Sequence, residues 1–288
     1  MSTELTTELK SIERLKPAYD PETAAYFDGP SGSTVLAPPV GHPCRFSGPP
    51  TALQPPERSR FVPAATVSDM AEQPSRADVR DTYERIGQHF SKTREYAWPE
   101  VEAFVEANGT DGRGLDVGCG NGRHTELLAD HVDDVVGLDA SAELLAAARD
   151  RVPDRTALLQ ADATRLPLAD DCVDVGVYVA TLHHLPTRTA RIESLDELAR
   201  VLTPTGRALV SAWSTAHDRF DASAEADTGF DTTVDWTLPG EETVPRYYHV
   251  YAPAEFERDV AESALALQSL EVSSGNCYAV VRPEGKRP

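Results

Sequence analysis

The chain has 288 residues, 40% of them apolar, and a formal net charge of −20. That length and apolar content support one substantial core, while the acidity argues against binding nucleic acid through bulk positive charge. The opening "MSTELTTELK" has no apolar leader and no run approaches about 18 apolar residues, so the expectation is a cytoplasmic chain without membrane contact.

Residues 1–69 hold 11 of the 22 prolines, in runs such as "APPVGHPCRFSGPPTALQPPERSR" that lack helical or strand periodicity. The expectation is a disordered Pro-rich extension. Met70 is the next methionine after Met1 and patterned sequence starts behind it, so a second reading places the true start at Met70. Six basic and eight acidic residues in 1–69 leave −18 for residues 70–288, the expected folded domain. The basic residues are 23 Arg and 4 Lys, the halophilic pattern of a surface kept soluble in molar salt. In such salt the Debye length is about 3 Å, and the objection to nucleic acid weakens. Cys44, Cys119, Cys172 and Cys277 stand singly, against both a disulfide framework and a metal site in this chain.

"QHFSKTREYAWP" (88–99) puts aromatics, His, Ser, Thr and Arg just ahead of the glycine-rich "LDVGCGNGRH". From Arg113 onward, strand candidates at 113–118, 135–139, 156–161, 173–180 and 207–213 alternate with helix candidates at 122–131, 141–150 and 190–202. That order builds an α/β fold with a parallel sheet covered on both faces. The closing "LQSLEVSSGNCYAVVR" reads as two strands joined at Ser274, Gly275 and Asn276, which must be antiparallel.

In "LDVGCGNG", Gly118, Cys119, Gly120 and Gly122 form a turn whose backbone can approach a ligand and aim a helix N-terminus at it. The dinucleotide pattern G-x-G-x-x-G fails, because its third place falls on Arg123. Asp116 at the strand end would repel phosphate and suits a cationic amino group. Asp139 closes the next strand, 23 residues on, where it can accept from ribose hydroxyls; Asp162 and the Ala163 amide follow the third strand, placed to read an adenine edge. An ammonium, a ribose and an adenine without phosphate describe S-adenosylmethionine. Each acid alone has an ordinary reading as a helix cap or surface charge; four features in register do not.

"LDVGCGNG", "GLDAS", "ADATRLP" and "RVLTPTGRALVSAW" resemble the cofactor motifs of the class I S-adenosylmethionine-dependent methyltransferases. The resemblance implies a Rossmann-like, seven-stranded, mostly parallel sheet ending in an antiparallel hairpin, over roughly residues 80–288. After the fourth strand "VYVATLHHLPT" offers His183 and His184, with packing of one and loop capping by the other as the structural alternative. "YERIGQHFSKTREYAWP", "HHLPTRTARIESLDELARVL" and "VPRYYHVYAPAEFERDV" resemble the tRNA wobble-uridine carboxymethyl-ester methyltransferases, which include the methyltransferase domain fused to an AlkB-type hydroxylase.

That resemblance implies tRNA modification at the anticodon loop and a small zinc-ribbon activator that forms a heterodimer by adding a strand to the sheet edge. It assigns Arg94 to the substrate carboxylate, Tyr83, His89 and Trp98 to the lid and pocket, and His183 or His184 to orienting base or carboxylate. Asp235 is a further candidate, to bond the uridine imide or close over the site. Residues 216–233 are acidic and aperiodic and read as a mobile surface loop, and Cys277 stands where the family often has a large aromatic. Two alternatives share the core motifs: a methyltransferase for quinone- or phenol-like small molecules, and a cofactor-binding module acting through a partner.

Overall fold

The computed structural model describes residues 34–36, 73–220 and 226–285. The expectation for 1–69 therefore lies outside the described residues, apart from a short strand β1 (Thr34–Leu36). Two helices precede the sheet, α1 (Arg76–Ser91) and α2 (Pro99–Asn108). The alternating part then runs β2 (Thr110–Val117), α3 (Arg123–Ala129), β3 (Val132–Asp139), α4 (Ala142–Arg149), β4 (Ala157–Gln160), β5 (Val173–Tyr178), α5 (Arg188–Val201) and β6 (Leu202–Trp213). After it come β7 (Phe230–Thr237), β8 (Thr243–Val250), α6 (Pro253–Glu262), β9 (Leu265–Ser273) and β10 (Asn276–Pro283).

The main sheet has the order β1-β4-β3-β2-β5-β6-β10-β9. Seven strands are those expected, parallel except for β10, which runs antiparallel to β6 and β9. The eighth, β1, pairs antiparallel with β4, and three residues are too few to show alternation in a sequence. Ser274 (φ 50°) and Gly275 (φ 77°) make the β9–β10 turn, both left-handed as a two-residue hairpin loop requires. Apolar side chains bury on both faces: one core gathers α1, α5, α6 and the inner strand residues, the other gathers α2, α3 and residues such as Val175, Val177 and Leu209.

The second sheet is a hairpin, β7 with β8, and corrects the expectation of a loop through 216–233 from Phe230 onward. Val234 and Trp236 face inward from β7, a period of two that the acidic stretch before it hides. The hairpin's base is fastened to the end of β6 by Tyr251 N–H to the Trp213 carbonyl (2.9 Å) and Thr215 N–H to the Tyr251 carbonyl (2.8 Å).

Helix α1 begins in a capping box: Ser75 and Asp78 each accept a bond from the other's backbone N–H. Val79, Tyr83, Ile86 and Phe90 form its buried stripe. The helix lies against α4 at Gly87, where a Cβ would stand 3.1 Å from Glu143 Cβ. Glu84 supplies the polar half of that contact. Its carboxylate accepts from Ala142 N–H (2.8 Å), Glu143 N–H (3.0 Å) and the Ser141 hydroxyl (3.1 Å), meeting the positive end of α4. Glu84→Ala is therefore expected to cost about 1 kcal/mol and to lower the melting temperature by about 2–4 °C, measured by thermal unfolding against wild type.

Candidate functional site

The glycine turn leaves β2 at the middle of the sheet, and its three glycines serve different ends. Gly118 (φ 71°) would drive a Cβ to 2.3 Å from the Thr181 side chain, and Gly122 (φ 80°) would drive one to 2.8 Å from Val152. Gly120 (φ 54°) has nothing within 4 Å of where its Cβ would be. Its backbone borders a small open cleft lined by Phe90, Arg94, residues 118–121, Arg123, His124 and Val179. Two packed glycines and one open one are the arrangement of a ligand cradle rather than of a tight turn alone.

Asp139 holds the turn in shape. One carboxylate oxygen accepts from Gly120 N–H and the other from Ser141 N–H, both at 2.9 Å. Asp116 lies beneath the turn and accepts from the Thr125 hydroxyl at 2.6 Å. Burial pushes both carboxyls up to about 7, against their hydrogen bonds and, for Asp116, against the pull of Arg123. Cys119 is buried in the turn, its thiol also raised by burial. Asp162 is already engaged: it accepts from the backbone and hydroxyl of Thr164 (2.7 and 2.8 Å) and pairs with Arg76 of α1 (2.9 Å). Ala163 is buried in the core beside it, and neither lines the cleft.

The segment after α1 crosses over the glycine turn and is tied there by its carbonyls. Asn121 Nδ2 donates to Ser91 (3.0 Å) and Arg94 (2.7 Å), Arg151 donates to Arg94 (3.0 Å) and Glu95, and Arg123 donates to Tyr96 (3.3 Å). These tethers place Arg94 in the cleft, 3% exposed, its guanidinium 4.5 Å from the Phe90 ring centre and 5.5 Å from that of Trp236. Of the expected lid residues, His89 joins this group, accepting from Trp236 Nε1–H at 3.1 Å. Trp98 does not. It packs in the other core, against His124 and Tyr278, beneath the Arg123 guanidinium, and so backs the cleft instead of shaping its acceptor side.

His183 and His184 follow β5, both fully buried, with ring centres 4.4 Å apart. Their partners define opposite tautomers. His184 Nδ1 meets the Tyr247 carbonyl at 2.9 Å, which only accepts, so Nδ1 carries the proton and Nε2 accepts from the Tyr83 hydroxyl at 3.1 Å. His183 Nδ1 accepts from Trp213 N–H at 3.0 Å, so its proton is on Nε2, which has no hydrogen-bond partner among the described residues. Burial, then the charges of His184, His249 and Arg246, hold His183 well below its ordinary value, and the ring is neutral. It stacks on Tyr248 and Trp213.

Asp235 is not part of this group. Strand alternation turns it outward and exposed between inward Val234 and Trp236, away from the buried histidines. Several contributors were not singled out from the sequence. Asn121, Arg123 and Arg151 are the lid's tethers, with Asn121 a buried polar residue inside a glycine turn as the one local signal. Arg246 of β8, fully buried, lies over the rings of Trp236 (4.9 Å) and Tyr248 (5.3 Å).

A sheet in this order with a reversed strand near one edge, a glycine turn after its central strand and an acid closing the next strand make a Rossmann-like α/β fold. Residues 115–210 match the family described as "Methyltransferase domain". Solved structures agree on the fold. A DhpI–SAH complex superposes with TM-score 0.56 at 19% identity over 73% of this chain and 97% of that one. A Burkholderia thailandensis 1,6-didemethyltoxoflavin-N1-methyltransferase gives 0.55 at 18% over 76% and 92%.

In sequence the chain is similar to tRNA (carboxymethyluridine(34)-5-O)-methyltransferases. That of Saccharomyces cerevisiae is 32% identical over 168 residues, 58% of this chain and 59% of the yeast protein. The mouse ALKBH8 protein of that description is 35% identical over 136 residues, 47% of this chain and 20% of its own length. The chain thus spans between a fifth and three fifths of these relatives. Among the described residues no helix is long and apolar enough to cross a membrane.

The raised carboxyls give a test of the cradle before any ligand is added. A carboxyl whose folded value lies above its unfolded 3.8 contributes stability below about pH 4 and loses it as pH rises to about 7. The melting temperature of the unliganded protein should therefore fall across that window, and Asp116→Asn, which keeps an acceptor for Thr125, should flatten part of the fall.

Proposed function

We propose that this chain is a methyltransferase that uses S-adenosylmethionine to esterify the carboxymethyl group of a modified wobble uridine in tRNA. One observation carries the acceptor assignment: a buried, neutral His183 with an unsatisfied Nε2–H, joined to Arg94 through the stacked Tyr248, Arg246 and Trp236 side chains. A buried donor left without a partner costs about 1–3 kcal/mol, and a carboxylate oxygen from a substrate is the kind of acceptor that relieves it. The similarity to the tRNA carboxymethyluridine enzymes supports the same reading.

The residues present fit the cofactor. The open backbone at Gly120 borders the cleft, Asp139 keeps lone pairs for ribose hydroxyls beyond the two amides it holds, and Asp116 offers a carboxylate below the turn. Asp162 and the Ala163 backbone are assigned to the adenine end, Asp162 being held rigid by Thr164 and Arg76. When bound, S-adenosylmethionine supplies an electrophilic methyl group on a sulfonium.

The protein's part is alignment. A carboxymethyl group has a pKa of about 4 and is an anion at neutral pH, so no side chain has to remove a proton. Arg94 grips one carboxylate oxygen by its planar fork, and His183 Nε2–H orients the group, leaving an oxygen directed at the methyl carbon. The cofactor, held at the glycine turn, would supply the methyl group, and its sulfur would keep the electron pair of the broken carbon–sulfur bond. Charge disappears from both partners in that step, so the tethered lid serves by excluding water that would solvate the carboxylate. His184, satisfied at both nitrogens within the protein, positions Tyr83 and the 243–250 strand.

We further infer a halophilic, cytoplasmic enzyme that works as a heterodimer with a small zinc-ribbon activator docked by strand addition at a sheet edge. The test is transfer from labelled S-adenosylmethionine to bulk tRNA lacking the modification, in molar potassium chloride, with and without that partner, followed by nucleoside digestion. Label in a base-labile uridine ester is the expected result; cofactor binding without labelled tRNA under any condition would redirect the search to small-molecule acceptors. Arg94→Ala is expected to lower kcat by about 100-fold or more and His183→Ala by about 10–100-fold, each with cofactor affinity retained. Equal loss of binding and transfer in Arg94→Ala would overturn the division of roles.

A further inference from the structure

Lys92 is the single lysine among the described residues. It is exposed, on the segment tied across the glycine turn, four residues before Tyr96, which at 62% is the most exposed of the large hydrophobic side chains. Three arginines stand behind this pair. Arg94 and Arg123 line the cleft, and Arg151 donates to the Arg94 carbonyl at 3.0 Å. They crowd one another: burial first, then the charges of Arg94 and Arg151, bring Arg123 down to about 9. Three acids share the neighbourhood: Glu126, which pairs with Arg151 at 2.6 Å, Glu95 beside Tyr96, and the buried Asp116, whose charge opposes the fall at Arg123. On a domain that carries −18 overall, a rim with four cations and an exposed aromatic is a local reversal of charge.

We propose that the rim formed by Lys92 and Tyr96 docks a single-stranded RNA nucleotide next to the one whose base enters the cleft, with Tyr96 stacking on a base and Lys92 pairing with a phosphate. The inference rests on the tRNA reading above and adds its contact surface. The chemistry is that of a stacking platform beside a cation. The platform is held firmly, because Arg123 Nη1–H bonds the Tyr96 carbonyl at 3.3 Å and Arg151 bonds the residue before it, while the ring itself stays exposed. Docking here delivers the neighbouring nucleotide to the cleft bordered by Arg94 and Gly120. In molar salt, where charge acts over about 3 Å, recognition falls to contacts of this short range.

The test uses the full chain, with and without the zinc-ribbon partner, and an RNA anticodon stem-loop carrying carboxymethyluridine at the wobble position, with binding followed by fluorescence anisotropy over a range of potassium chloride and methyl transfer measured in parallel. Tyr96→Ala should raise Kd and KM for the RNA roughly tenfold and Tyr96→Phe should restore both, since every base has a face to stack on. Lys92→Ala should reduce the slope of log Kd against log salt by about 0.7–1, the signature of one lost phosphate contact. Affinity for S-adenosylmethionine should stay at the wild-type value in all three. If wild type methylates the stem-loop while the variants bind it as wild type does at every salt concentration, the docking surface lies elsewhere and this inference falls alone. If wild type neither binds nor methylates the stem-loop, the tRNA reading fails and takes this one with it.

Discussion

The structure depends on backbone carbonyls that have left regular structure and must be satisfied elsewhere. After Ser91 the chain stops being helical, and the carbonyls of Ser91, Arg94, Glu95 and Tyr96 take donors from Asn121, Arg123 and Arg151. Asn121 belongs to the glycine turn, Arg123 starts α3, and Arg151 lies in the turn just after α4. An irregular segment so bonded is firmly placed, because withdrawing it would leave carbonyl acceptors unpaired on one side and side-chain donors on the other. Glu84 fixes the same unit one turn earlier, at the N-terminus of α4. The site is therefore closed by a segment that shares hydrogen bonds with the cradle it covers.

Electrostatics follow from that closure. Asp116 and Asp139 are carboxylates kept under a dry cover, and desolvation raises both. On the far side of the cover the same desolvation keeps His183 neutral and able only to donate from Nε2. One physical cause acts on two kinds of group in opposite directions, and each result suits the role given to it. The carboxyls are left as acceptors for a cationic or hydroxyl-bearing group, and the histidine is left as a donor at Nε2.

Much of the sheet was legible in the sequence because period two, glycine position and strand–helix alternation are local. The central strands, α3–α5 and the reversed hairpin at Ser274–Gly275 all carry such signals. The hairpin of β7 and β8 was missed, since its inward residues Val234 and Trp236 follow an acidic run that dominates the composition. The outward direction of Asp235 was available in the same alternation, had the strand been recognised. The difference between His183 and His184 was not available at all. It is set by Trp213 on one strand and by Tyr247 and Tyr83 on two other elements, and adjacent identical residues give no hint of which partners they will find. Arg94 was found through resemblance, but the reason it enters the cleft, Asn121 and its neighbours, lies in tertiary hydrogen bonds.

Gly118 touches Thr181, and Thr181 opens the turn that presents the two histidines. With no room for a single carbon between them, the cradle and the acceptor side meet along one seam of the molecule. A displacement of the glycine turn by a few tenths of an ångström has to be passed to Thr181, because packed interiors transmit strain. The glycine turn and the turn that carries His183 are thus packed as one unit, and a change of shape in either is felt by the other.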